Sequence, residues 1–335
     1  MRSVAGATLL LVLTTGCPGD EPAWSEVLDG DDLDRVVLSA WGTSSSDVYV
    51  VGGGLGNGLG AIALHYDGDA WTEIDTGAAA SFWWVWGAAS DDVYFVGEGG
   101  TIVHWNGTTA DTQTTPTTVT LFGVWGASAG DVWAVGGDAV TDPPTSVILH
   151  LEAGAWVDAT PATVPDGALF KVWGTAANDI YAVGQNGIIL HYNGSAWVVE
   201  DSDTSVSLFT VSGGDGIVWA VGGGPATVVR SQGAGAWLAE DTGIPAGVLN
   251  GVSVTPDGEV LVVGMGGVKM RRGTDGAWSD ETFEPPFRDL HAVFAELDGH
   301  VYAVGGNFNA PGGGGVVRIG IVGYYGKDAP ATEVD

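Results

Sequence analysis

Histidine is the residue type whose spacing in this sequence first suggests chemistry. Four of the six histidines follow short apolar runs at similar intervals, and arginine takes that place farther along the chain; these residues are His65, His104, His150, His191, Arg230, Arg271 and Arg318. Imidazoles bind metal ions and transfer protons, and a group of bases could bind an anion. Such a shared site requires that the elements carrying these residues bring them close together.

Carboxylates are the second group that could do chemistry. Asp138, Asp142 and Asp166 lie in segments that do not repeat, and a pair of them separated by roughly 5 to 9 Å would suit a glycosidase. The aspartates between Asp29 and Asp34 could hold calcium, but they lack the glycine and glutamate spacing of a calcium-binding loop. The sequence contains no HExxH motif, and its single cysteine, Cys17, lies near the N-terminus. We therefore expect no catalytic residues, no bound metal and no cofactor.

The elements that would position these residues come from an internal repeat. Its clearest copies begin LFGVWGASAGDVWAVGGD at Leu121 and LFKVWGTAANDIYAVGQNG at Leu169. A glycine ends the second apolar run of each copy, and these glycines are spaced by 38 to 48 residues: Gly52, Gly97, Gly136, Gly184, Gly222, Gly264 and Gly305. That period is typical of a four-stranded propeller blade. The sequence therefore predicts an all-β, seven-bladed β-propeller with four antiparallel strands per blade.

The two ends of the repeat predict how the ring closes. The seventh copy, from Leu290, lacks the tryptophan that begins strand four in other copies, whereas the segment around Trp24 matches the strand that begins at Trp71. We therefore expect the N-terminal strand to complete the last blade, which leaves no open sheet edge between the last blade and the first. A fourth strand over residues 321–325 is the alternative. The propeller is expected to span residues 23–326, followed by a flexible C-terminal tail over residues 327–335.

This architecture argues against a metal site shared by the histidines. Strand three of a blade lies two strand spacings outside the central channel, so equivalent residues of neighbouring blades are far beyond the roughly 2 Å of a metal–nitrogen bond. The copies with histidine also carry a tryptophan at the end of strand one, at Trp41, Trp86, Trp125 and Trp173. We expect this tryptophan and the histidine to pack together within each blade. The repeated aspartates before strand two, such as Asp47 and Asp179, are expected to close turns.

The glycine-ended second strand and the tryptophan of the fourth strand resemble kelch-type and bacterial Asp-box (BNR-like) propeller repeats. The double glycine of kelch repeats is present at Gly52-Gly53, Gly136-Gly137, Gly222-Gly223 and Gly305-Gly306, and the other three copies lack it. The S-x-D-x-G-x-T-W order of an Asp-box is not present. The resemblance therefore implies the architecture and carries no sialidase activity with it.

The N-terminus resembles the signal peptide of a bacterial lipoprotein. Arg2 precedes an apolar run from Val4 to Leu13, which is too short to span a bilayer. Cys17 follows Gly16 and would be the lipidated residue. The resemblance implies a signal peptide over residues 1–16 and a lipid-anchored tether over residues 17–22. Pro18 stands where aspartate signals retention at the inner membrane, so we expect an outer-membrane or cell-surface lipoprotein of a Gram-negative-type bacterium.

The net charge bears on the partners. The chain carries a formal charge of -31, with only 10 lysines and arginines. Such a surface repels nucleic-acid phosphates and anionic lipid head groups. We therefore expect no nucleic-acid partner, contact with the membrane only through the lipid anchor, and a monomer.

Function in a propeller usually resides in loops that differ between blades. Three connections between strands two and three are long, and they should share one face with the connections from strand four to the next strand one. The candidate binding residues in these loops are Asn57, Asp138, Asp142, Asn307, Phe308 and Asn309. We expect a non-enzymatic module of the cell envelope that presents this face to a protein or glycan on the cell surface. The alternative is a polysaccharide-acting propeller enzyme, either a glycoside hydrolase or a lyase.

Overall fold

The computed structural model describes residues 21–233, 235–297, 299–309 and 317–334 of the chain. These residues form 28 strands arranged in seven antiparallel sheets of four strands each. The predicted seven-bladed propeller is therefore confirmed. The predicted signal peptide, Cys17 and most of the predicted tether lie outside the described residues.

Blades one to four follow one another along the chain, and each begins with its innermost strand. Blade one contains β2 (Val36–Ser44), β3 (Asp47–Gly53), β4 (Ala61–Tyr66) and β5 (Trp71–Glu73). Blade two contains β6 (Phe82–Ala89), β7 (Asp92–Gly97), β8 (Ile102–Trp105) and β9 (Ala110–Thr112). Blade three contains β10 (Leu121–Ser128), β11 (Asp131–Asp138), β12 (Thr145–Glu152) and β13 (Ala155–Asp158). Blade four contains β14 (Leu169–Ala176), β15 (Asp179–Gly184), β16 (Ile189–Tyr192) and β17 (Trp197–Glu200).

Blades five to seven repeat this order until the last strand. Blade five contains β18 (Leu208–Gly214), β19 (Ile217–Gly222), β20 (Thr227–Ser231) and β21 (Trp237–Ala239). Blade six contains β22 (Leu249–Val254), β23 (Val260–Gly264), β24 (Lys269–Arg272) and β25 (Trp278–Asp280). Blade seven contains β26 (Leu290–Leu297), β27 (His300–Gly306), β28 (Gly320–Gly326) and the N-terminal strand β1 (Ala23–Leu28). One-turn 3-10 helices lie between strands two and three of blades two, four and six, at Glu98–Gly100, Gln185–Gly187 and Met265–Gly267.

The ring closes through the N-terminal strand, as predicted. Strand β1 pairs with β28, where Trp24 lies opposite Tyr325, and the innermost strand of the last blade contacts that of the first. The alternative, a fourth strand over residues 321–325, is wrong because this segment belongs to the third strand. The placement of Arg318 on strand three is wrong for the same reason: Tyr324 faces Tyr302 where the other blades have histidine or arginine.

The regularly spaced glycines have a physical cause. In six blades the glycine lies opposite the first paired residue of the innermost strand, as Gly136 lies opposite Leu121, and in blade one Gly52 lies opposite the second, Val37. A Cβ atom on Gly136 would collide with the carbonyl oxygen of Thr120, and the equivalent glycines meet equivalent carbonyls. The backbones approach too closely for any side chain, so only glycine fits.

The hydrophobic core lies in layers between adjacent blades. One layer joins Tyr94, Val96 and Ile102 of blade two to Leu121 and Val124 of blade three, and similar clusters occur around the ring. Each blade therefore buries both faces of its sheet against the two neighbouring blades, which is the usual packing of a propeller.

The C-terminal segment differs from the expected flexible tail. Pro330 is buried, and Ala331 and Val334 pack against the core between the last and first blades. The carbonyl oxygen of Ala331 accepts a hydrogen bond of 3.0 Å from Nε1 of Trp71, and Val334 forms a bridge beside the same tryptophan. The fully buried indole of Trp71 thus gains its acceptor from the end of the chain.

Candidate functional site

A β-bulge near the start of each innermost strand sets the geometry of one channel mouth. The pairing of β10 with β11 skips Phe122 between Leu121 and Gly123, and the same irregularity recurs in the other six blades. A bulge leaves one residue unpaired and redirects its side chain. The seven residues at this position are Leu38, Trp83, Phe122, Phe170, Phe209, Asn250 and His291.

Four consecutive bulge residues form an arc of aromatic rings around the mouth. The ring centroids of Trp83 and Phe122 are 5.1 Å apart, those of Phe122 and Phe170 are 5.4 Å apart, and those of Phe170 and Phe209 are 5.6 Å apart. The first two pairs meet edge to face, which is a favourable arrangement for aromatic rings. We call Trp83, Phe122, Phe170 and Phe209 the aromatic arc. All four side chains are partly exposed.

The arc continues into blade seven. The centroid of His291 lies 5.7 Å from Trp83, and the ring of Phe308 lies 5.2 Å from His291 in a T-shaped contact. The arc and these residues enclose a cavity of about 650 Å³. The rest of its described lining, in which there is no aspartate or glutamate, consists of Lys171, Thr210, Gly247, Val248, Asn250, Met265 and Asn309. A cavity of this size suits a small ligand or a few side chains of a larger partner.

His291 is a neutral group at this mouth. Its Nδ1 lies 2.5 Å from the carbonyl oxygen of Leu38, and because a carbonyl can only accept, Nδ1 must carry a proton. Burial, helped by the nearby Lys171, lowers the pKa of His291 to about 4. At neutral pH the imidazole is therefore uncharged, with Nε2 unprotonated.

Lys171 lies one residue past the bulge of blade four and is 3% exposed. It lines both the mouth cavity and the narrower part of the channel beside Trp84. Its Nζ lies over the Trp84 ring. Burial lowers the pKa of Lys171 well below its ordinary value.

Two of the six predicted loop residues belong to this site. Phe308 and Asn309 line the cavity together with bulge residues and with Gly247 from a connection between blades. The expectation that both kinds of connection share one face is therefore confirmed.

The other loop candidates stabilise their own loops. Asn57 accepts a hydrogen bond from the backbone of Leu59, and Asp138 accepts two from Val140 and Thr141. The side chain of Asn307 donates a hydrogen bond to the carbonyl oxygen of Val317 and accepts one from the backbone N–H of Ile319. These three residues, and Asp142, are not among the lining residues of the cavity.

The four histidines on strand three of blades one to four each take part in the same hydrogen bond. In blades one to four Nε2 of the histidine donates to an aspartate at the start of strand two, over 2.6, 2.6, 2.8 and 2.7 Å; the pairs are His65–Asp47, His104–Asp92, His150–Asp131 and His191–Asp179. The aspartates expected to close turns therefore also hold the histidines. Burial would raise the pKa of Asp179, but hydrogen bonds from Thr175 and His191 outweigh it and lower that pKa.

The expected contact of the histidine with the tryptophan of strand one is wrong. His191 stacks on Tyr181 of strand two, with centroids 4.3 Å apart. Tyr181 lies opposite both Trp173 and His191, so it separates them. Among the described residues, no group of three or more histidines, cysteines and acids is close enough to hold a metal ion.

One short segment matches a serine-hydrolase motif by letters alone. Residues 126–130 read GASAG, which fits G-x-S-x-G, but that motif requires a turn between a strand and a helix. Ser128 instead lies opposite Asp131 in the hairpin turn between β10 and β11, and it is exposed. The segment therefore has no nucleophile geometry.

No protein-family model and no curated protein sequence matches this chain. Among solved structures, a streptogramin B lyase is similar with a TM-score of 0.69 and 16% identity over 91% of this chain and 98% of its own. YCF48 from Cyanidioschyzon merolae has a TM-score of 0.63 and 13% identity over 91% of this chain and 99% of its own. The GH74 xyloglucanase from Xanthomonas campestris has a TM-score of 0.60 and 15% identity, over 87% of this chain and 55% of its own. These similarities show the fold.

The helices in the described part of the chain are all too short to form a membrane-spanning segment.

The aromatic arc was missed from the sequence, although a signal was present. The inner strands begin FWWVWG, LFGVWG, LFKVWG and LFTVSG, and the second letter of each is the arc residue. Strand alternation alone does not show that this residue is unpaired, because a bulge depends on the neighbouring strand.

Proposed function

We propose that this protein is a non-enzymatic binding propeller of the cell envelope that holds an apolar part of a protein partner at the mouth of its channel. The observation that carries the proposal is the aromatic arc. Four neighbouring blades place partly exposed rings on bulges around one cavity. Aromatic side chains dominate the binding energy of protein interfaces when they meet an apolar partner group.

The composition of the cavity favours a protein over a glycan. Its described lining is mostly aromatic and aliphatic, and Thr210 and Asn250 direct polar atoms to backbone carbonyls of their neighbours. Sugar hydroxyls need many hydrogen-bonding partners when they leave water. An apolar segment of a protein needs few.

The envelope location rests on the N-terminal sequence. The apolar run, Gly16 and Cys17 match a lipoprotein signal, and we propose that Cys17 carries the lipid at the outer membrane or cell surface. The acidic surface is consistent with a protein kept away from anionic lipid head groups except at its anchor.

The alternative, a polysaccharide-acting enzyme, has less support. Two carboxylates facing one substrate are the usual requirement for glycoside hydrolysis, and none lines the described cavity. Asp138 is hydrogen-bonded within its loop, and Asp166 lies exposed in another connection. The streptogramin B lyase and the xyloglucanase share the fold at an identity too low to carry activity across.

A binding comparison tests the proposal. The purified chain is applied to an array of 12-residue peptides of graded apolar content, blocked at both ends, and to a glycan array. The variant Phe122→Ala/Phe170→Ala is compared with Val198→Ala/Val199→Ala, which changes half-exposed residues on the outer strand of blade four. We expect apolar peptides to bind, with a loss of tenfold or more in affinity for the arc variant alone.

Three outcomes contradict the proposal. Equal peptide binding by both variants would remove the mouth as the site, and arc-dependent binding of glycans instead of peptides would make the partner a glycan. Release of reducing ends or unsaturated products from polysaccharides, lost on His291→Ala, would establish the enzyme instead. Thermal unfolding of each variant shows whether a loss of binding reflects a loss of folding.

A further inference from the structure

The propeller contains two buried lysines whose amines have different surroundings. Nζ of Lys269 donates to three backbone carbonyl oxygens, of Gly267, Glu284 and Pro286, over 3.0, 2.8 and 2.9 Å. Lys171 has no hydrogen-bond acceptor and no carboxylate partner among the described residues, and its amine lies only over the Trp84 ring. Lys269 is therefore a structural lysine, whereas the amine of Lys171 is left without a hydrogen-bonding partner in the described part of the chain.

The repeat does not require a lysine at position 171. The residues one past the bulge in the other six blades are Ser39, Trp84, Gly123, Thr210, Gly251 and Ala292, none of which carries a charge. A buried ammonium without a hydrogen-bonding partner is costly. Burial therefore disfavours the charged form of Lys171 and lowers the pKa of its amine. Lys171 lines both the mouth cavity and the channel space beside Trp84, so its side chain lies where these two spaces meet and borders any molecule in the cavity.

We propose that the cavity binds an apolar group that ends in a carboxylate, with the carboxylate on Nζ of Lys171 and the apolar body on the aromatic arc. This inference rests on the proposed function, since it assigns the chemistry of the group that the mouth receives. An arylalkanoic acid and the C-terminal residue of a protein ending in phenylalanine, tyrosine or tryptophan both present this chemistry.

Charge and shape favour a carboxylate over other ligands. A cationic ligand would meet Lys171 and find no carboxylate in the described lining. A phosphate dianion needs several donors, usually with an arginine fork, and the cavity offers one amine. A single carboxylate matches a single lysine, and the rings supply contact area for the apolar body.

Calorimetry with paired probes tests the inference. The purified chain is titrated with 3-phenylpropionate and with 3-phenylpropanamide, which differ only in the charged end. We expect the acid to bind at least tenfold more tightly than the amide. Lys171→Met should abolish this preference while retaining affinity for the amide, and Lys327→Met, which removes an exposed charge near the C-terminus, should leave the preference intact.

A second measurement follows the proton that binding takes up. Because the amine has a lowered pKa when free, pairing with a carboxylate should draw a proton from the buffer. The binding enthalpy of the acid should therefore depend on the ionisation enthalpy of the buffer, whereas that of the amide should not. His291, the other titratable group in the described lining, also has a lowered pKa, so loss of the buffer dependence in Lys171→Met assigns the proton to the lysine.

The outcomes separate this inference from the proposed function. Equal affinity for acid and amide, or an acid preference that survives in Lys171→Met, would overturn the carboxylate assignment and leave the apolar docking role standing. If blocked peptides do not bind but the acid is still preferred over the amide, the apolar docking role is overturned and the carboxylate assignment stands. Peptides ending in phenylalanine with a free or an amidated terminus distinguish the sources: preference for the free terminus identifies a protein C-terminus, and indifference identifies a small acid.

Discussion

Blades one to four and blades five to seven are fastened to their neighbours in different places. In the first arc of the ring, blades one to four, a tryptophan near the end of each innermost strand reaches the next blade. In the second arc, blades five to seven, the main links lie at the outer edge and are polar. One repeat thus closes a ring with two kinds of joint.

The inner joint of the first arc depends on a glycine. A Cβ atom on Gly126 would lie 2.6 Å from the Trp86 ring, and the same match recurs for Trp41 with Gly87, Trp125 with Gly174 and Trp173 with Gly213. In the second arc the innermost strands of blades five and six carry Ser212 and Ser253 there, and the matching residues of the next blades are Val254 and Ala295. In the first arc a tryptophan is therefore matched by a glycine of the next blade, and in the second arc a serine is matched by valine or alanine.

The outer joint of the second arc depends on a glutamate. Glu200, Glu240 and Glu281 lie three residues after the tryptophan of strand four, and each accepts a hydrogen bond from the tryptophan of the next blade; the donors are Trp237, Trp278 and Trp24, over 2.8, 3.4 and 2.7 Å. The same glutamates bind the base of their own blade, such as Arg271 at 2.7 Å from Glu281. In the first arc Nε1 of Trp156 and of Trp197 is buried with no acceptor in the described part of the chain.

This difference separates packing from hydrogen bonding as sources of stability. The joints among blades one to four have the inner contact, and those among blades five to seven have the outer one. The joint between blades four and five has both, because Trp173 meets Gly213 there and Glu200 of blade four accepts from Trp237. A change at a contact that is present should cost more than the same change at a joint that lacks it. The predictions below test that division.

The largest effect is expected at the joint between blades six and seven, where Glu281 holds the N-terminal strand. Glu281→Ala leaves the buried Trp24 N–H without its acceptor and Nε of Arg271 without its carboxylate. Each orphaned group is disfavoured, and the sum should lower the free energy of unfolding by about 3 kcal/mol. Urea denaturation measures it. Glu152→Ala, which removes an exposed carboxylate 3.3 Å from His150, is the control and should change little; a loss below roughly 1 kcal/mol for Glu281→Ala would mean that the outer joint does not stabilise closure.

A smaller loss is expected at an inner joint. Gly126→Ala forces a Cβ atom against the Trp86 ring and the carbonyl oxygen of Asp131, and overpacking of this kind costs about 2 kcal/mol. Gly130→Ala is the matched control because nothing lies within 4 Å of its Cβ position.

A double-mutant cycle identifies the contact that carries this loss. In a Trp86→Ser background, which imitates the second arc, Gly126→Ala should cost at least 1 kcal/mol less. Additive losses would place the strain at the backbone of Asp131 and refute the match between tryptophan and glycine.

Truncation of residues 328–335 should cost about 1 to 2 kcal/mol. The indole of Trp71, fully buried in the structure, loses the carbonyl oxygen of Ala331 and the contact with Val334. A red-shifted tryptophan emission and a lower melting temperature are the expected readouts. Unchanged melting would support the simpler expectation of a flexible tail.

How far the sequence predicted the molecule depends on whether a feature is local. The strand pattern and the glycine period are local and repeat seven times, so fold, blade number and closure by the Trp24 strand could all be predicted. Strand three of blade seven could not be placed, because its sequence, GIVGYYG, has neither the histidine nor the arginine of the other copies.

The candidate site depended on relations between strands. The arc residues are visible as the second letter of each inner strand, but their direction follows from a bulge against the neighbouring strand. The acceptor for Trp24 is Glu281, 257 residues away, and the residue types alone do not show that their side chains meet. The amine of Lys171 meets a ring two blades away in the same manner.

The smallest effect is a gain, and it transfers the outer joint of the second arc into the first. The backbone N–H of Ala159 donates to the carbonyl of Ile148, as that of Glu240 does to Val228, so Ala159 occupies the glutamate position of blade three. Ala159→Glu should place a carboxylate beside the unpaired Nε1 of Trp197 and raise the free energy of unfolding by about 1 kcal/mol.

The background variant Trp197→Phe shows whether the new hydrogen bond carries the gain. Without the N–H, Ala159→Glu should have no effect or destabilise the protein, because the carboxylate then has only His150 of its own blade as a partner. A gain that persists in Trp197→Phe would arise from charge alone. In that case Glu200, Glu240 and Glu281 would stabilise the ring through the histidine or arginine of their own blade, and the tryptophan bonds would be secondary.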